Sequence, residues 1–161
     1  MTTDAQADMD LILWRHAEAQ EWLEGCDDMA RSLTLRGEKQ AVRMANWLDR
    51  QLPEGTRIFV SPARRCEQTA QALGRKYKLR EELAPGASAV ELLALVQWPL
   101  AKGTVLVVGH QPTLGQIIAQ LLGLTATECK VKKGAVWWLR NRQPDAQSQT
   151  VVVTVQSPEL L

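Results

Sequence analysis

The stretch Leu11-Ile12-Leu13-Trp14-Arg15-His16-Ala17 decides how the chain is read. Four apolar residues make a strand-sized run that stops abruptly at a cation and an imidazole. In an α/β protein, ligands sit in the crevice at the carboxyl ends of the strands, so Arg15 and His16 mark the start of an anion site. A second apolar run, Thr104 to Val108, ends in Gly109 and His110. The chain has 2 histidines, and each directly follows a core strand; one shared site explains both placements.

Between these strands the sequence alternates in character. A mixed loop containing Trp22, Gly25, Asp27 and Asp28 leads from His16 to about Leu33. It is longer than a plain α/β connection and is expected to cover part of the site, with Trp22 anchoring it to the body. Residues near 35–50 read as an amphipathic helix with Ala41, Met44, Ala45, Trp47 and Leu48 on its apolar stripe. Pro53 and Gly55 mark a turn before a strand at Thr56 to Val60. Ser61 and Pro62 then read as the cap and first position of a helix over 62–76, burying Ala63, Cys66, Ala70 and Leu73. Such a helix aims unpaired backbone donors at the same crevice, with Arg65 in its first turn.

A connecting segment from Leu79 to Gly86 carries Glu81 and Glu82, and Ser88 and Glu91 have capping-box spacing before a third helix. After His110, Pro112 and Thr113 open a helix whose Leu114, Ile117, Ile118, Leu121 and Leu122 repeat near 3.6 residues, ending at Gly123. Ala135 to Leu139 and Thr150 to Val155 read as two late strands across a polar turn, a pattern compatible with antiparallel pairing. This alternation predicts a three-layer α/β/α sandwich with a mostly parallel central sheet. Right-handed crossovers bring Arg15, His16, Arg65 and His110 to one sheet edge.

At 161 residues the chain suits one domain, expected over 10–161 behind a disordered lead at 1–9. The 19 Lys and Arg against 18 Asp and Glu argue against a general nucleic-acid or membrane surface. No apolar run has the length of a membrane span, and the polar, acidic start is unlike a signal peptide, so a cytoplasmic location is expected. Cys26, Cys66 and Cys129 show neither a disulfide framework nor zinc spacing, and Cys66 is expected to pack in the core.

Two guanidiniums and two imidazoles around one point suit a phosphoryl group. Arginine offers planar, permanently charged donors, and histidine serves as donor, base or nucleophile near neutral pH. His16 is the candidate nucleophile, with Arg15, Arg65 and His110 holding the phosphoryl oxygens and no metal or other cofactor required. Glu82 is the first candidate to protonate a leaving group or activate water, with Glu81 and Glu18 as rivals.

The segments LILWRHAEAQ, SLTLRGEKQA, VSPARRCEQTA and VLVVGHQPTLGQIIAQLLG resemble the histidine phosphatase superfamily, also called phosphoglycerate mutase-like. More narrowly they resemble its short bacterial branch of SixA-type phosphohistidine phosphatases. The resemblance implies that His16 becomes phosphorylated and that Arg15, Arg65 and His110 bind phosphate. It also implies scaffold roles for Ser61, Pro62, Gln68 and Thr69, and for Asp28, Arg31, Leu33, Thr34 and Gly37. Ala17 stands where the familiar Arg-His-Gly motif has glycine. By loop position Glu82 resembles the proton donor of larger members.

The chain has little room for the insertions that enclose substrate in larger members, so the expected partner is a phosphorylated protein, such as a histidine-containing phosphotransfer domain in signal transduction. A phosphatase for small phosphomonoesters and a noncatalytic phosphate-dependent binding module are the alternatives. Neither a G-x-x-x-x-G-K-[ST] loop nor a G-x-G-x-x-G fingerprint is present.

Overall fold

The structure, a computed structural model, describes residues 8–142 and 149–161. Strand β1 (Met9–Arg15) pairs in parallel with β4 (Gly103–Gly109), which pairs in parallel with β2 (Arg57–Val60). A short β3 (Lys78–Leu79) extends that edge in parallel. On the other side of β1 lie β5 (Val136–Arg142) and then β6 (Gln149–Gln156), each antiparallel to its neighbour, giving the order β3-β2-β4-β1-β5-β6.

The central strands β1 and β4 have sheet neighbours on both sides and helices on both faces, which is why 11–14 and 105–108 are apolar without a break. Leu11, Leu13, Val105 and Val107 pack with Leu92 and Val96 of α3 (Ala89–Val96) and with Leu114, Ile117 and Ile118 of α4 (Thr113–Leu122). Ile12, Trp14, Leu106 and Val108 pack with Met44, Ala45 and Leu48 of α1 (Leu35–Gln51) and with Cys66 and Ala70 of α2 (Arg64–Gln71). The period of two along each strand therefore builds two separate cores, and the three-layer α/β/α sandwich follows.

Helix α1 spans the expected stretch. The Thr34 side chain accepts from the Gly37 N–H as its cap, and Ala41, Met44, Ala45 and Leu48 form the buried stripe. A side chain at Gly37 would overlap the Glu18 carbonyl oxygen, so the loop after β1 lies directly on the first turn of this helix.

Four local expectations are corrected. The helix after β2 begins at Arg64 and ends at Gln71, shorter than 62–76. Its N-cap is Ala63, with no side-chain cap; the buried Ser61 hydroxyl lies two residues too early, between the Ala63 N–H and the His110 ring. The segment after α2 holds β3, whose two exposed residues are too few to show an alternating pattern but join the sheet through Phe59 and Val60. Met9 is buried and already paired with Gly103, so the sheet starts one residue before the expected boundary. The rest of the expected lead, residues 1–7, and the turn at 143–148 lie outside the described residues. Among the described residues no helix is long and apolar enough to cross a membrane.

The segment before β5 is pinned to α4 at Gly115. Cys129 N donates to Gly115 O at 2.9 Å, and Gln111 bridges the two, its Nε2 donating to Cys129 O at 3.0 Å and its Oε1 accepting from Gly115 N at 2.7 Å. A methyl group at Gly115 would overlap the Cys129 carbonyl oxygen. Gly115→Ala is therefore expected to lower the unfolding free energy in urea by about 1–3 kcal/mol. Gly55→Ala, where an added methyl meets open space, is expected to leave it within about 0.5 kcal/mol.

Candidate active site

Strand parity and register assemble the site. Ile12 and Trp14 face α1 and α2, and so do Leu106 and Val108; the next residues of the same parity are His16 and His110. The parallel register pairs Trp14 with Val108 and Arg15 with Gly109, so the two imidazoles emerge side by side. His16 N donates to Gly109 O at 3.2 Å, and the rings meet edge to face with centroids 5.3 Å apart.

Strand β2 adds the third wall. Ser61 N donates to Val108 O at 3.0 Å, and Ser61 Oγ lies 2.8 Å from His110 Nε2 while accepting from Ala63 N. The bend at Pro62 and Ala63 then starts α2, with buried Arg65 in its first turn and Arg65 Nη2 at 3.5 Å from His110 Nδ1. Thr69, one turn later, accepts from Ala17 N and donates to Arg65 O, tying the strand end to the helix. Arg15 has the opposite parity; its Nη1 donates to Val131 O at 2.7 Å. Arg15, His16, Arg65 and His110 are thus brought together at the carboxyl edge of the sheet.

His16 Nδ1 lies 2.7 Å from the Ala17 carbonyl oxygen. A carbonyl only accepts, so Nδ1 carries the proton and Nε2 keeps a free lone pair. Burial is the main cause that pushes His16 down to about 3; the Ala17 bond opposes this, while His110, Arg65 and Arg15 add to it. Burial and the nearby Arg65 push His110 down to about 4. Both imidazoles are neutral at pH 7. The Nε atoms of Arg15 and Arg65 are buried without a hydrogen-bond partner among the described residues.

Asp28 organises the other side of Arg65. Its carboxylate accepts from Arg65 Nη2 at 3.2 Å and from Arg31 Nε at 2.9 Å, and its carbonyl accepts from Arg65 Nη1 at 2.8 Å. Burial works against the charge on Asp28, yet the hydrogen bonds from Arg31 and Arg65 hold its carboxyl below the usual range. The family resemblance gives Asp28 a scaffold role only; the i, i+3 spacing of Asp28 and Arg31 is the local signal of its pairing. Cys66 is buried as expected, but its Sγ lies 3.4 Å from His110 Nε2 and 3.8 Å from Gly109 O, against the site itself.

The acidic candidates divide. Glu18 takes a hydrogen bond from Thr34 Oγ1 at 2.7 Å, beside the start of α1. Glu81 is exposed in the short turn Glu81–Leu83 after β3. Glu82, in the same turn, pairs with Arg80 at 2.7 Å, and that bond holds its carboxyl below its ordinary value. Arg80 N in turn donates to Val60 O at 2.9 Å, so the turn starts at the carboxyl end of β2. Trp22 corrects another expectation: it is 55% exposed and its indole N–H donates to Cys26 O inside the loop, so it does not anchor the loop to the body. The loop is held to the body by Leu33 N on Gln68 Oε1 at 2.7 Å, by Glu18 N on Gln40 Oε1 at 3.0 Å and by the Arg65 bonds to Asp28.

Comparison with known proteins agrees with this geometry. The family model of the histidine phosphatase superfamily (branch 1) matches residues 11–87. Phosphohistidine phosphatase SixA of Escherichia coli (strain K12) is 35% identical over 123 residues, covering 70% of this chain and 74% of that protein. Among solved structures, a SixA described as a putative phosphohistidine phosphatase from Nakamurella multipartitia superposes with a TM-score of 0.77 at 28% identity, over 96% of this chain and 99% of the other. A protein histidine phosphatase SixA complexed with tungstate gives 0.72 at 28% identity, over 94% and 98%. The chain belongs to the histidine phosphatase superfamily, in its SixA-like branch.

The buried histidines make stability depend on pH. In the unfolded chain each takes up a proton near 6.5, whereas the folded chain resists this down to about 3 for His16 and about 4 for His110. Acidification therefore favours the unfolded chain, and stability falls as pH drops below about 6.5, by up to about 1.4 kcal/mol per pH unit for each histidine. The melting temperature is expected to drop between pH 7 and pH 5, and His16→Gln with His110→Gln is expected to flatten that dependence in the same thermal scans.

Proposed function

We propose that this protein is a phosphohistidine phosphatase that takes the phosphoryl group from a phosphorylated histidine of a signalling protein and passes it through His16 to water. The observation that carries the reading is the lone pair left on His16 Nε2 by the Nδ1 bond to Ala17, in a pocket with two buried guanidinium Nε–H groups that lack a partner among the described residues. Unsatisfied buried donors are costly, and phosphoryl oxygens would satisfy them. The names of the Escherichia coli and Nakamurella relatives support the same substrate class.

In the first step the Nε2 lone pair of His16 forms a bond to phosphorus in line with the breaking phosphorus–nitrogen bond of the substrate. The departing imidazole nitrogen takes a proton from solvent. Water then attacks phosphorus, the bond to His16 breaks, and phosphate leaves as water gives up a proton. Arg15, Arg65 and His110 hold the phosphoryl oxygens through both steps, so the catalysis is positioning and charge stabilisation by groups of the chain itself. The dianion also counteracts the burial that keeps His110 unprotonated. Glu82, held ionised by Arg80, suits the second step as base better than the first as acid.

Residues 61–63 and 110–112 are the whole of the connections after β2 and β4, so no large insertion at either place covers the site. The lack of an insertion at these two places favours a side chain displayed on a protein over an enclosed small molecule. The free thiols of Cys26, Cys66 and Cys129 suit a reducing compartment, and we place the activity in the cytoplasm.

With a phosphorylated histidine-containing transfer domain as substrate, turnover is expected to persist in chelator, and quenched reactions to hold acid-labile phosphate on His16. His16→Ala is expected to remove turnover; unchanged release of phosphate by that variant would sink the mechanism. Hydrolysis of small phosphomonoesters alone would sink the protein substrate. Asp28→Ala, which frees Arg65, is expected to cost roughly ten- to a hundredfold in kcat/KM. Single-turnover measurements on Glu82→Gln are expected to show slowed loss of phosphate from His16 with its formation unchanged.

A further inference from the structure

The near-zero net charge of +1 hides a segregation of charge around the site. On one side runs the segment from Cys129 to Ala135. Its backbone is bonded to both residues of the Arg15-His16 pair: Val131 O accepts from Arg15 Nη1, Ala135 O accepts from Arg15 N at 3.0 Å, and Gly134 N donates to His16 O at 3.0 Å. Val131 is buried, whereas Lys130, Lys132 and Lys133 are exposed. The segment is therefore a fixed rim that turns its cations outward.

Helix α1 continues this rim. Gln40 takes a hydrogen bond from Glu18 N at 3.0 Å, two residues beyond His16, and exposed Arg36 and Lys39 precede it on the helix. Arg36 and Lys132 both act on the Glu159 carboxylate, which puts the two cationic stretches next to each other. Glu38, between Arg36 and Lys39 on the helix, and Glu128 and Glu159 are acids among these cations. Beside Arg65, the loop whose Asp28 holds that guanidinium exposes Glu21, Glu24 and Asp27.

We propose that Lys130, Lys132, Lys133, Arg36 and Lys39 form a docking surface for a folded protein that carries an acidic patch on one flank of its phosphorylated histidine. The proposal rests on the phosphatase reading above and adds the surface chemistry of the partner. Charge complementarity beside the reacting group speeds encounter and orients it. The acidic lip that this loop adds beside Arg65 disfavours an extended polyanion, because a nucleic acid or an anionic membrane covering the whole site meets both signs, whereas a one-sided acidic patch can meet the cations alone.

Three phosphohistidine peptides test this: one with neutral flanks, one with four glutamates on the amino-terminal side, and one with four on the carboxyl-terminal side. At low salt, one of the acidic peptides is expected to exceed the neutral peptide about tenfold in kcat/KM, and most of that advantage is expected to vanish at 0.5 M salt, where the Debye length is roughly 4 Å. Lys132→Glu with Lys133→Glu is expected to remove the advantage while leaving hydrolysis of phosphoramidate unchanged. Equal rates for all three peptides, or an advantage that survives the charge reversal, overturns the docking surface and leaves the phosphatase intact. Failure of the wild type to hydrolyse any phosphohistidine peptide, with phosphomonoesters still cleaved, overturns the phosphatase reading. Tighter binding of a single-stranded RNA 20-mer than of either acidic peptide, lost in the same variant, assigns the rim to nucleic acid and overturns the proposal.

Discussion

The in-register parallel pairing of β1 with β4 is the constraint on which the rest of the molecule depends. Because Trp14 lies opposite Val108, the two chains leave the sheet level with each other and on the same parity, and the imidazoles that follow have nowhere to go but side by side. A slip of one residue would turn one histidine to the α3 and α4 face and break the site. The register is held by apolar side chains packed on both faces, so the two hydrophobic cores position the chemistry as well as stabilising the fold.

Burial then sets the electrical character of the site. Two histidines pushed to about 3 and about 4 stand beside two guanidiniums, and among the described residues Asp28 is the carboxylate paired with Arg65. Asp28 does not neutralise the pocket; it occupies the Nη atoms of Arg65 and leaves Nε unpaired. The same loop that supplies Asp28 forms the acidic lip, while the lysines before β5 ride on a backbone bonded to Arg15 and His16. Site and rim are therefore built from the same few hydrogen bonds.

Much of this was legible in the linear order of residues. The apolar runs ending in Arg15-His16 and Gly109-His110, the stripe of α1 and the periodicity of α4 are local signals with a fixed period, and they led to the correct layers and sheet edge. The readings that failed depended on competition between partners. Ser61 has the chemistry of a helix cap, but a buried imidazole 2.8 Å away engages its hydroxyl and the helix starts at Arg64. Trp22 has the size of an anchor, but its indole bonds within its own loop. Lys78 and Leu79 have no strand pattern and pair only because β2 offers a free edge.

The sequence by itself determined the alternation of strands and helices, the family, and the four residues that converge, because period and strand end are properties of neighbouring residues. Only the tertiary structure decided that Asp28 grips Arg65 across 37 positions, that Cys66 touches His110, and that the lysine-bearing segment before β5 is bonded to Arg15 and His16. Those contacts join residues far apart along the chain, and hydrogen bonds and charge fields act through space without leaving a period in the order of residues.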